Sequence, residues 1–288
     1  MSLLAVIPAR LGATRLPDKP LRLLGGRPLV VRVWERVTAL GVADHCVVAT
    51  DSHAVAAAVR AVGGDVALTR ADHPSGTDRV AEVAERAEYR RFEAVVNVQG
   101  DEPFVSRAVV GGAAALVTSG RFVLGTVACP SSADALDRAD IVKVVSGDDG
   151  RALYFSRAPV PWLREPGDAA DRAAHSALVR RHVGVYAYTR EALARWIALP
   201  VHPLERVERL EQLRPLAHGL AIGVALIDEA PAPGIDTEDD LRAAERAWPA
   251  WEAAHAGTGV TGDAGAVASG ADAPPLYAVP ATPDRPDA

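Results

Sequence analysis

The chain has 288 residues, 49% hydrophobic and 24% charged, with a formal net charge of -6. That is enough apolar material for one sizeable core or two modest ones, and it excludes a fibre or wholesale disorder. The acidic balance argues against a nucleic-acid partner held through its phosphates, and no segment approaches the roughly 20 apolar residues that cross a bilayer, so neither nucleic acid nor membrane is an expected partner.

The N-terminal apolar run, Leu3 to Ile7, is too short for a signal-peptide core, lacks a basic segment before it and is closed by Pro8 and Arg10. Cys46 and Cys129 each sit in or beside a strand-like apolar stretch, where a thiol serves as a small hydrophobe, so no disulfide is expected. Both features point to the cytoplasm. Strand-like runs then alternate with helical patterns: 3–7 with 29–40, 46–50 with 54–62, and 94–98 with 107–117. This βαβ rhythm predicts an α/β fold, a doubly wound, mostly parallel, Rossmann-like sheet covered on both faces. Polar residues follow each strand and fall at the carboxyl edge, where open α/β sheets bind ligands.

From about Ala152 the pattern changes to proline-bearing strand-like pieces, "ALYFSRAPVPW" and "HVGVYAY", separated by a polar segment from Arg164 to Arg180. These predict a smaller β-rich insertion over about 152–190. Helical patterns at 190–198 and 204–217, a strand at 222–227 and a helix from Thr237 to about Ala250 complete a domain expected over 1–253. Residues 254–288 are rich in Gly, Ala, Asp and Pro, and such a composition predicts a disordered tail.

The first loop, Pro8 to Pro20, carries Arg10, Arg15 and Lys19, with Gly12 for tight turning. Three cations on a loop at the carboxyl edge suit a triphosphate, although the G-x-x-x-x-G-K-[ST] spacing of a Walker loop is absent. All basic residues but Lys19 and Lys143 are arginines, so each lysine calls for a reason, such as a compact ammonium grip on a phosphate. Asp101 follows the strand "AVVNV" closely, which projects its carboxylate over the same edge. Taken alone, Asp236 reads as a helix cap ahead of Thr237 and Glu238, and Ser75 or Thr77 as the cap of another helix.

The motifs "IPAR", "TRLPDKPL", "VATD", "TRADHPSGTDR", "VNVQGDEP", "KVV", "ALYFSRAPVPW", "RHVGVYAY", "LEQLR" and "GIDTEDDL" occur in that order over about residues 3–250. In this the chain resembles the 3-deoxy-manno-octulosonate (Kdo) cytidylyltransferases, also called CMP-Kdo synthetases. The resemblance implies a nucleotidyltransferase fold and transfer of CMP from CTP to the anomeric 2-hydroxyl of Kdo with release of pyrophosphate, for lipopolysaccharide-type glycans. It implies catalytic roles for Arg10, Lys19, Asp101 and Asp236, and Mg²⁺ held by Asp101 and Asp236. CTP would meet Arg10, Arg15, Lys19, Ser75, Gly76, Thr77 and Arg79. The sugar acid would meet Gln99, Arg157, His182, Tyr186, Glu211 and Gln212, with Arg157 pairing with its carboxylate. It further implies a homodimer joined through the β-rich arm around 154–162 and 182–188. The loop departs from the family in Leu11-Gly12-Ala13, where an aromatic and a serine are frequent, and in Asp18, where glycine is common. Rival readings are a cytidylyltransferase for 8-amino-Kdo or a sialic-type acid, a molybdopterin guanylyltransferase, and a catalytically silent nucleotide-sugar sensor.

Overall fold

The computed structural model describes residues 1–12, 15–131, 135–162, 164, 178–228 and 230–255. Most of the Arg164 to Arg180 segment and all but two residues of the expected tail lie outside the described residues.

The near-continuous apolar runs become strands buried on both faces. β1 (Leu3–Ala9) pairs in parallel with β4 (His45–Thr50) on one side and β6 (Ala94–Asn97) on the other, and β5 (Asp65–Leu68) extends the sheet beyond β4. Beyond β6 come β10 (Arg180–Thr189), β7 (Leu124–Pro130) and β11 (Ile222–Leu226), giving the order β11-β7-β10-β6-β1-β4-β5. Within this row β10 runs antiparallel to both neighbours, and the other strands share one direction. A small hairpin, β2 (Leu23–Leu24) with β3 (Arg27–Pro28), stands apart.

Alternation along the strands sorts the helices. Leu3, Ala5, Ile7 and Ala9 face the side covered by α1 (Leu29–Ala39), α2 (His53–Arg60) and α4 (Arg107–Thr118). Leu4 and Val6 face the side covered by α3 (Gly76–Ala84) and α5 (Arg190–Ala198), whose Trp196 is 2% exposed and meets Tyr186 and Tyr188 edge-on at 5.7 and 5.6 Å. A third cluster, including Leu16, Leu24, Phe104, Ile235 and Trp248, packs the C-terminal helix α8 (Glu238–His255) against the first loop and the small hairpin. This last cluster brings the two ends of the domain together at the carboxyl edge.

Two expectations are corrected. "HVGVYAY" belongs to β10, in the middle of the main sheet, and not to an arm; its alternation and glycine imitate a half-exposed strand because β10 is antiparallel and irregular between Val183 and Tyr186. The arm consists of β8 (Lys143–Ser146) paired antiparallel with β9 (Ala152–Ser156) and attached to β10 through Lys143 and Arg181. The single helix expected over 204–217 is two short ones, α6 (Pro203–Glu208) and α7 (Leu213–Ala217), because Arg209 is left-handed at φ 52°. That break turns Gln212 into the interior, 6% exposed, instead of along a helix surface.

Candidate active site

The shared direction of β1, β4, β5 and β6 brings their carboxyl ends to one edge. Asp101 reaches it through a close backbone crossing: a Cβ on Gly100 would lie 2.8 Å from the Pro8 carbonyl oxygen, so only glycine passes there without displacement. The Ile235 N–H donates to the Asp101 carbonyl at 2.9 Å, docking the "GIDT" turn on the same loop. Asp236 is not the helix cap that it suggests in isolation. Thr237 and Asp240 form a reciprocal capping box, with the Asp240 N–H donating to Thr237 Oγ1 at 3.2 Å and the Thr237 N–H to Asp240 Oδ2 at 2.8 Å. The Asp236 carboxylate is thereby left for the site.

Lys19 opens a short 3-10 turn behind Asp18, which is left-handed at φ 53°, a conformation that glycine adopts without cost and aspartate tolerates. A glycine, expected at this position from the resemblance, would take that conformation readily, and the Asp18 found here is exposed. The Lys19 ammonium donates to Asp101 Oδ2 and, at 2.8 Å, to Asp236 Oδ1, while Arg15 pairs with Asp236 Oδ2 at 2.9 Å. Burial opposes the charge on Asp236, yet Lys19 and Arg15 hold its carboxyl below the usual carboxylate range; burial likewise opposes the Lys19 charge, and the two carboxylates raise its pKa. Arg10 is exposed just beyond β1. Beside this cluster, burial followed by the Asp101 charge pushes the Glu102 carboxyl up to about 7. Sequence reasoning passed over Glu102, whose only signal is its place in "GDEP".

Ser75 caps α3, accepting from the Asp78 N–H at 3.3 Å and donating to Asp78 Oδ2 at 2.7 Å. A Cβ on Gly76 would sit 3.6 Å from Pro8, so this helix start abuts the first loop. Thr77 donates to Glu211 Oε2 at 3.0 Å and so joins the expected nucleotide loop to the expected sugar site. Arg79 is 3% exposed and reaches Thr69 Oγ1 and, at 3.5 Å, Asp51, so it braces the ends of β4 and β5. The loop before Ser75 is tied down by Glu82, which accepts from the Arg70 N–H at 3.1 Å and Arg86 at 2.9 Å and pairs with His73 at 2.5 Å. Burial opposes its charge, but these partners together hold the Glu82 carboxyl down to about 2 against an ordinary value of 4.5. The interaction therefore contributes stability above about pH 4.5 that is lost as the pH falls toward 2. In Glu82→Gln the thermal midpoint should fall less steeply across that window than in the parent protein, and equal slopes would contradict the pairing.

On the other side of Thr77 the remaining candidates gather around β6 and β10. Gln99 is half-buried beside Asp101. Tyr186 stands opposite Asn97, and the Tyr186 hydroxyl, the Tyr188 hydroxyl and Asn97 Oδ1 are buried without a well-aligned hydrogen bond among the described residues, although Tyr186 lies near Thr126, and Tyr188 near Asn97 and Thr77. Small adjustments among these neighbours, a water or a ligand hydroxyl would complete their hydrogen bonding. His182 Nε2 lies 3.0 Å from Thr126 Oγ1, which also faces the Val183 and Val185 carbonyls at 3.2 and 2.8 Å; when the Thr126 proton goes to one of these carbonyls, the imidazole carries its hydrogen on Nε2 and offers Nδ1 as acceptor. Burial pushes His182 down to about 3, so the ring is neutral near pH 7, and burial also raises the Glu211 pKa. Sequence reasoning passed over Asn97, although it stands in "VNVQGDEP", and over Thr126, which lies inside an apolar strand outside the quoted motifs.

Arg157 is more committed than a free carboxylate partner. Its Nε donates to the Glu208 carbonyl and its Nη1 to the Ala139 carbonyl, both at 2.9 Å, which occupies two of the five guanidinium N–H groups and leaves the rest of the fork for a ligand.

The chain matches the family model described as cytidylyltransferase over residues 4–222. It is 63% identical over 248 residues to the 3-deoxy-manno-octulosonate cytidylyltransferase of Gemmatimonas aurantiaca, covering 86% of this chain and 95% of that protein. It is 48% identical over 244 residues to the protein of the same name from Methylococcus capsulatus, covering 84% and 95% respectively. Among solved structures it resembles CMP:2-keto-3-deoxy-manno-octonic acid synthetase complexed with CTP, with a TM-score of 0.78 and 38% identity over 88% of this chain and all of that one. A cytidylyltransferase from Leptospira borgpetersenii, 14% identical over 87% of each chain, shares the fold with a TM-score of 0.54.

Proposed function

The chain belongs to the 3-deoxy-manno-octulosonate cytidylyltransferase family, and on that premise we propose that it joins CMP from CTP to the anomeric hydroxyl of Kdo and releases pyrophosphate. The observation that carries the reading is the convergence of Lys19, Asp101 and Asp236, from three distant parts of the chain, on one point of the carboxyl edge. Arg10, Arg15 and Lys19 bind the triphosphate and take up the charge that develops on the departing pyrophosphate. Ser75, Gly76 and Thr77 meet the nucleotide, and Arg79 holds their loop from beneath. Gln99, Arg157, His182, Tyr186, Glu211 and Gln212 orient the sugar acid so that its 2-hydroxyl lies in line with the α-phosphorus, and catalysis is chiefly positioning and charge stabilisation.

The donor set suits Mg²⁺. Two carboxylates already share one cation, the Lys19 ammonium, while no group of three or more His, Cys, Asp or Glu gathers among the described residues. Magnesium commonly takes one or two carboxylates and draws its other ligands from phosphate oxygens and water. Asp101 and Asp236 would hold the ion, which when bound would neutralise phosphate charge and make the attacking hydroxyl more acidic.

No helix among the described residues is long and apolar enough to cross a membrane. Cys46 and Cys129 are both unpaired, and burial pushes the Cys46 thiol up to about 12, which suits an inert thiol in a reducing cytoplasm. The exposed Leu153 and Trp162 at the arm support the proposal of a homodimer.

Pyrophosphate release with CTP and Mg²⁺ tests the reading, comparing Kdo, 8-amino-Kdo and N-acetylneuraminate, with UTP and EDTA controls. Turnover confined to CTP plus Kdo and abolished by EDTA is expected. Turnover with a different acid would move the substrate and keep the chemistry; CTP binding without turnover would replace the enzyme by a sensor.

A further inference from the structure

Lys143, one of the two lysines in the chain, is fully buried on β8 and makes its contacts there. Its ammonium donates to the carbonyl oxygens of Arg138 and Ile141 at 2.9 Å and of Arg157 at 2.5 Å. Three protons meet three backbone acceptors, the arrangement that suits an ammonium, while burial lowers the Lys143 pKa from its ordinary 10.5. An apolar residue here would leave three buried carbonyls unpaired, and arginine would not fit three acceptors gathered around a point.

The segments joined at this point carry the sugar-acid half of the site. The Arg157 carbonyl is one acceptor, and the loop holding Ala139, which fixes the Arg157 guanidinium, supplies the other two through Arg138 and Ile141. The end of β9 is clamped from the opposite side by Glu208, which accepts from Ser156 Oγ at 2.6 Å and from the Arg157 N–H at 2.9 Å, three residues before Glu211. Next to Lys143, the His182 N–H donates to the Val142 carbonyl at 2.8 Å, and Lys143 stands opposite Arg181. Arg157, His182 and the turn carrying Glu211 and Gln212 are thus registered to one another around a single ammonium.

We propose that Lys143 is a positioning residue that sets the sugar-acid half of the site, acting through Arg157 and β10, and takes no part in holding CTP. The proposal rests on the assignment of Arg157, His182 and Glu211 to the sugar acid. It is tested by measuring kcat, the KM for Kdo, the KM for CTP and the thermal midpoint in K143M, K143Q, R157Q and the K143M/R157Q pair. In K143M the KM for Kdo is expected to rise about tenfold or more while that for CTP stays within about twofold, since a displaced positioning group costs binding of the ligand it serves. K143Q keeps two donors and should recover part of the loss, and it carries the same comparison if K143M does not fold. In the pair, K143M should add less than about threefold to R157Q, because the two changes act through shared contacts. Equal rises in both KM values, or a fall in thermal midpoint with neither KM changed, would overturn the proposal. If R157Q leaves the KM for Kdo unchanged while K143M raises it, the role given to Arg157 fails and positioning by Lys143 through β10 stands.

Discussion

Asp101→Asn is expected to lower kcat for pyrophosphate release by about a hundredfold or more, the usual size for removing one preorganised charge from a reacting centre. Asparagine has nearly the same shape, and the contacts that place residue 101 are made by backbone: the Gly100 crossing under Pro8 and the Ile235 N–H on the Asp101 carbonyl. The fold should therefore survive, with circular dichroism and the thermal midpoint close to those of the parent. What is lost is one of the two carboxylates facing Lys19, and with it half of the proposed donor set for a divalent ion. A higher Mg²⁺ requirement should accompany the loss of kcat, read by titrating the metal at saturating CTP and Kdo. A kcat within about threefold of the parent, with the fold intact, would remove Asp101 from the reaction.

The sheet was legible in the sequence where burial on both faces made the strands continuous in apolar residues, as in "LLAVI", "CVVAT" and "AVVNV". It was misread where tertiary context overrode local pattern. β10 alternates like an edge strand, yet it lies in the middle of the sheet and runs against its neighbours, a placement fixed by pairing partners far away in the chain. The helix expected over 204–217 is broken by the left-handed Arg209, a conformation that arginine does not announce. The residues proposed for metal and phosphate were singled out through motif resemblance, since Asp236 alone reads as a cap; only the structure shows Thr237 and Asp240 taking that duty. Conversely, motif membership alone does not distinguish a residue that faces a ligand from one that holds the scaffold. Arg79 and Lys143 both stand in family motifs, and both proved to be buried braces.

Lys19→Met should also lower kcat by about a hundredfold, for a different reason and with a different accompaniment. Removing Asp101 leaves a cation with one partner fewer; removing Lys19 leaves Asp101 and Asp236 facing each other with only the exposed Arg15 against Asp236. Like charges so placed repel, and they also repel an incoming triphosphate, so the KM for CTP should rise together with the fall in kcat. Lys19→Arg should not restore activity, because a planar fork cannot place one point charge between two carboxylates as an ammonium does. The Lys19 pKa is raised above its ordinary 10.5, so its contribution to stability is complete at every pH below that value and fades only as the pH climbs through the folded pKa. The difference in stability between Lys19→Met and the parent should accordingly be flat from pH 6 to pH 9, measured by denaturant unfolding. A difference that shrinks within that range would mean that Lys19 is not held as a cation between Asp101 and Asp236, and retention of the parent KM for CTP would separate Lys19 from nucleotide binding.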